Sequence, residues 1–233
     1  MKARTRISII LLISAFIFAI EVKIVSTGLL TGHTIKQVDD TARSAGYFSA
    51  FTVDCECFMA LVSLVGVILC IIALVKKEEQ LPEWFDVLYM MGTVSLTLVF
   101  IVVAAYLAPI KAANGAGYFA LFKKGNFFNH FINPWLSIIC FDVINKLRKM
   151  SWKKAWFAPI PMIIYALVYM ANVALFKRWP DLYSFSFGGH YWAFPIELVV
   201  IFAITFGLGV LHIRLHNIGG GTFDEKKRQR SDR

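Results

Sequence analysis

Long apolar runs alternate with short polar clusters along this chain. The runs cover about 7–30, 47–75, 84–107, 127–147, 155–176 and 194–216. Each reaches the roughly 20 residues that a helix needs to cross the hydrocarbon of a bilayer. In that solvent every backbone N–H and C=O must be satisfied internally, which favours helices. The pattern predicts an all-α fold: a polytopic integral membrane bundle of six transmembrane helices over 1–218. The remainder, 219–233, is Gly-rich and then charged, and is expected to be a disordered basic tail. The first run, MKARTRISIILLISAFIFAI, also has the basic start and apolar core of a signal peptide. It has no clear small-x-small cleavage site, and apolar residues resume after Lys23, so it is read as the first transmembrane helix.

Charge orients the bundle. If the N-terminus is cytoplasmic, the inside segments hold Lys2, Arg4 and Arg6, Lys76 and Lys77, the 146–154 cluster and the basic tail. The outside segments hold fewer cations, among them Lys36, Arg43, Lys111 and Lys177. The positive-inside rule then predicts that both termini are cytoplasmic, in a multi-pass protein of the cell membrane. Trp152 and Trp156 are expected at the inner interface, Trp179 and Trp192 at the outer one.

Composition narrows the function classes. Of 233 residues, 58% are hydrophobic, only 17% are charged, and 21 are Phe, which leaves nothing for a separate soluble domain. The net charge of +9 lies in loops and tails, so membrane lipids rather than nucleic acid are the expected partners. Cys55, Cys57, Cys70 and Cys140 all sit in apolar runs and read as small buried hydrophobes, not as a disulfide framework.

Candidate chemistry comes from polar residues inside the spans. Glu21, Thr52, Glu56, His130, Asn129, Asn133, Tyr165, Tyr169, Asn172 and Glu197 all fall in the predicted outer half. Ionisable groups at such depth usually face the bundle interior or water, so a polar cavity is expected there. Thr52, Cys55 and Glu56 share one helix face, while Asp54 points away. Pro134 should kink its helix and free a carbonyl. A threonine hydroxyl becomes a nucleophile when a base takes its proton, and Thr52 with His130 is a candidate pair; from the residues alone the expected reading is a back-bonded threonine and a satisfied core histidine. Glu56 or Glu197 would orient His130, and Asn129 or Asn133 would donate to an oxyanion. Other readings stay open. His130, Glu56 and Glu197 are a possible metal set, and buried carboxylates with histidine also suit proton-coupled transport. In LHIRLH, His212 and His216 have the i, i+4 spacing of a zinc pair, but a basic helix end is the expected reading, with Asp86 and Asp142 on the same side.

The segments YFSAFTVDCECFMALV, NHFINPWLSIICFDVI, APIPMIIYALVYM and WPDLYSF, in that order, resemble the androgen-induced gene 1 family, and its bacterial branch most. The resemblance covers roughly 47–187. Characterised animal members are multi-pass threonine hydrolases of fatty acid esters of hydroxy fatty acids. The resemblance implies a lipid-ester hydrolase with Thr52 as nucleophile and His130 as base, no metal or other cofactor, and a small lipid ester as substrate. Where bacterial relatives carry Ser-Asn after the threonine, this chain has Cys55 and Glu56, and Cys55 is the alternative nucleophile. A non-enzymatic membrane protein that binds or transports a lipid or small solute is the competing expectation.

Overall fold

The structure is a computed structural model that describes residues 1–31, 49–179, 181 and 188–218. The expected tail at 219–233 lies outside the described residues. Six helices are long and apolar enough to cross a membrane: α1 Ala3–Thr31, α2 Phe51–Lys76, α3 Glu83–Ala113, α4 Gly125–Ile144, α5 Trp152–Leu175 and α6 Tyr191–Asn217. The described residues contain no strand.

The start of α1 and the end of α6 lie at one end of the bundle, called here the terminal end. Arg6 Nη1 donates to the Ile144 carbonyl at 2.9 Å, tying the start of α1 to the end of α4. Asn217 and Met150 exchange two hydrogen bonds, of 2.8 and 2.9 Å, tying the end of α6 to the α4–α5 connection. The α2–α3 turn closes at the same end. There Lys77 adopts a left-handed conformation (φ 61°), and its N–H reaches back to the last carbonyls of α2. The opposite, far end holds the starts of α2, α4 and α6.

α3 is the axis of the bundle and packs on α2, α4, α5 and α6. Of its most apolar stretch 56% is buried, against 22% for α6, so α6 presents most of its surface outward. α1 leans on α2 and α4 instead. Lipid tails are as apolar as leucine, so contact between helices relies on close approach at small residues. A Cβ at Gly66 would meet the Phe85 ring at 2.9 Å, and one at Gly209 would meet the Ala158 methyl at 2.7 Å. Outward positions such as Leu12, Leu61, Val75 and Val199 are exposed, as a lipid solvent allows. Hydroxyls inside α3 and α6 are satisfied by their own helix: Thr93 donates to the Tyr89 carbonyl at 2.9 Å and Thr205 to that of Ile201 at 2.7 Å.

Proline is absorbed by widened turns. A π turn over Val103–Leu107 precedes Pro109, and another over Phe128–Ile132 precedes Pro134. A proline ring clashes with the carbonyl four residues back and offers no N–H, and a π turn opens the helix at that point. α3 therefore continues to Ala113, past the boundary at Leu107 expected from sequence.

Candidate functional site

Among the buried polar clusters of the described residues, two stand at different heights in the bundle. The first, toward the far end, joins α1, α2 and α4. Glu21, Glu56 and Asn133 are 0, 1 and 0% exposed. Asn133 Nδ2 donates to Glu21 Oε1 and, at 3.3 Å, to Glu56 Oε2. The two carboxyl groups are also within hydrogen-bonding reach of each other. Asn133 Oδ1 is buried without a partner. The i, i+4 spacing stacks Thr52 over Glu56 on α2 and Asn129 over Asn133 on α4. Asn129 is 6% exposed, and its side-chain carbonyl has no partner either.

His130 leaves this seam. Its Nδ1 lies 2.8 Å from the Leu121 carbonyl, and Phe122 packs edge-on against its ring. A carbonyl only accepts, so Nδ1 carries the proton, and the neutral ring keeps Nε2 as its basic atom. The orienting group is thus a backbone carbonyl rather than Glu56 or Glu197. The physical reason is the π turn over Phe128–Ile132, which turns His130 toward the 118–121 segment while Asn129 stays over Asn133. α2 packs against this turn, but among the described residues no hydrogen bond joins Thr52 to His130.

The remaining outer-half residues form a separate group around α5. Tyr165 donates to the Ser49 carbonyl at 2.9 Å and packs on Phe51. Tyr169 donates to Asp181 Oδ1 at 3.4 Å, and Asn172 to its own helix at Val168. Glu197 has Asp181 as its charged neighbour and lines an apolar groove of about 630 Å³ with His190, Trp192, Ile196 and Val200. Cys55 is buried in the α2 face beside Ser95. All four cysteines are free. No group of three His, Cys, Asp or Glu side chains converges as a metal site among the described residues.

The second cluster lies nearer the terminal end and joins α3, α4 and α6. His212 Nδ1 lies 2.9 Å from Asp142 Oδ2, and its Nε2 lies 3.0 Å from Thr97 Oγ1. The three residues are 8, 3 and 5% exposed for Thr97, His212 and Asp142. Thr97 Oγ1 also lies 2.8 Å from the Thr93 carbonyl. One hydroxyl proton therefore chooses between two acceptors, its own helix or the imidazole. When it faces Nε2, the ring is neutral, Nδ1–H points at Asp142, and the order is hydroxyl, imidazole, carboxylate. Asp142 Oδ1 has no partner. His216, a turn away, sits with its ring nitrogens 2.9 and 3.0 Å from the Phe141 and Arg148 carbonyls. The histidine pair is thus neither a solvent-exposed basic helix end nor a shared metal site. Both rings lie on the buried face of α6 with Thr205, Gly209 and Ile213.

Thr97 is the residue that the sequence reading missed. It lies in the third apolar run beside Thr93 and Ser95, where a threonine reads as a back-bonded spacer. The signal that points to it is on another helix: His212 lies on the buried face of α6, and α6 packs on α3. Compared with family models, curated proteins and solved structures, the chain matches none of them.

Proposed function

We propose that this chain is an intramembrane lipid-ester hydrolase that uses a threonine nucleophile. One observation carries the reading: the continuous line from Thr97 Oγ1 through His212, at 3.0 Å, to Asp142, at 2.9 Å. A nucleophile within hydrogen-bond reach of a base, itself oriented by a third group, is the geometric signature of covalent acyl transfer. Thr97 Oγ1 attacks the ester carbonyl carbon and its proton passes to His212 Nε2. Asp142 accepts from Nδ1–H and balances the charge that the ring gains. The proton then goes to the leaving alkoxide, and water, activated by the same nitrogen, cleaves the acyl-threonine. A substrate with acyl chains suits a site enclosed by helices whose outer surfaces are apolar. The lysine and arginine bias supports a cell-membrane protein with both termini on the cytoplasmic side.

A second reading keeps the same chemistry at Thr52 and His130, as the family resemblance implies. The observation that favours it is the Leu121 contact, which leaves His130 Nε2 free to act as a base. In this reading Thr52 lies on the helix that packs on the 128–132 turn, and Cys55 shares its face.

An alkyl fluorophosphonate probe on protein in lipid nanodiscs separates the readings. Wild type is expected to label covalently, Thr97→Ala to lose the label and Thr52→Ala to keep it. The reverse pattern moves catalysis to Thr52. Label lost only in Cys55→Ala moves it to the thiol. Absence of label and of ester turnover in the wild type sinks the hydrolase.

A further inference from the structure

The cluster of Glu21, Glu56 and Asn133 plays no part in the Thr97 chemistry. It sets two carboxyl groups against each other in the most costly solvent for charge, and among the described residues no basic side chain pairs with either. A helix bundle that wanted only packing here would carry apolar residues of similar volume, which are commonly as stable or more so. The cluster also holds more oxygen than its internal hydrogen bonds use. The two carboxyls lie within hydrogen-bonding reach of each other, and the Asn133 amide oxygen is buried without a partner. One helical turn toward the far end, on the same face of α4, Asn129 adds a buried side-chain carbonyl that also lacks a partner.

We propose that Glu21, Glu56, Asn133 and Asn129 form a binding site for a hard divalent cation of the calcium type. Two carboxylates and two amide carbonyls supply much of the roughly six to eight oxygens such an ion takes. A half-turn of the Asn133 amide puts Oδ1 where Nδ2 now contacts both carboxylates, which converts a donor between two acceptors into a third ligand. Charge selects the valence, because two carboxylates in an apolar seam are neutralised by one divalent ion but only half neutralised by sodium. Ligand type selects the hardness, since every group is an oxygen. The ligands come from α1, α2 and α4, so the ion would clamp the helix that α3 does not hold to the rest of the bundle. This inference does not depend on which residue is the nucleophile.

The test is thermal unfolding of chelator-stripped protein in nanodiscs of neutral lipid, followed by tryptophan fluorescence during titration with CaCl2 and, separately, MgCl2. Wild type is expected to show a saturable rise in Tm of roughly 5–10 °C at a hundred-fold excess over Kd. Glu56→Gln and Glu21→Gln should each abolish the rise while unfolding cooperatively, and Asn129→Ala should weaken the affinity about ten-fold. NaCl at matched ionic strength should give no comparable shift. The proposal is overturned if neither divalent ion shifts the wild type up to about 10 mM, above the weakest class of calcium sites. It is equally overturned if both Glu→Gln variants shift like wild type, or if sodium reproduces the effect.

Discussion

Glu56 and Asp142 are both carboxylates in helices that the bilayer would surround, yet their surroundings differ. Asp142 faces an imidazole, and that imidazole faces a hydroxyl, so donors and acceptors run in a single line. Glu56 faces another carboxyl and an amide. The first arrangement leaves a single oxygen, Asp142 Oδ1, without a partner. The second leaves the Asn133 and Asn129 amide oxygens without a partner. Both groups are buried; they differ in how many of the surrounding oxygens are left without a partner, one in the relay and more in the seam.

The comparison breaks most visibly in catalysis. Asp142→Asn should leave the fold intact and lower turnover of a p-nitrophenyl acyl ester by about 10⁴-fold, through loss of the imidazole's orientation and charge balance. An unchanged rate would remove Asp142 from the chemistry. Stability gives the next largest contrast. His212→Ala strands the Asp142 carboxylate and should cost about 3–5 kcal/mol in a denaturant titration. Glu56→Gln in metal-free buffer should fall within about 1 kcal/mol of wild type, since it removes one of two facing charges and keeps the shape. Equal losses at both positions would erase the distinction. Gly209→Val tests the support beneath the relay: a side chain there collides with Ala158 and should cost about 1–3 kcal/mol while lowering ester turnover. The smallest effect belongs to the Lys154–Glu83 pair at the terminal end, where both side chains reach solvent. Glu83→Ala should change stability by less than about 1 kcal/mol, and less still at high salt.

The six helices were legible because each is an apolar run of the right length, and their ends fall within a few residues of the expected positions except at α3. There the sequence reading stopped at Leu107, two residues short of Pro109, whereas a π turn carries the helix on. The depth of Glu21, Glu56 and Asn133 was legible from counting residues along each span. Their meeting was not, because it depends on how α1 rotates against α2 and α4. The polar residues of the far end were expected to share one cavity. They divide into the acid seam, the His130–Leu121 contact and the tyrosine group around α5, each held by different helix pairs. Thr97 and His212 lie far apart in sequence and at different positions along their spans, so only the crossing of α3 and α6 brings them together.

The π turns have a consequence for how this chain tolerates change in length. A helix that contains one carries a residue more than its span requires, as though a letter had been inserted into a finished word. Removing one residue from Phe128–Ile132 should tighten the turn to ordinary α geometry and change the direction of the side chains within the turn while the helix on either side keeps its register. Pro134 and Asp142 would keep their register with α3 and α6, while Asn129 and His130 would be re-aimed. The far half of α4 is in that sense editable independently of the near half. Deletion variants across 128–132 therefore offer a means of redirecting one site while the other serves as an internal control.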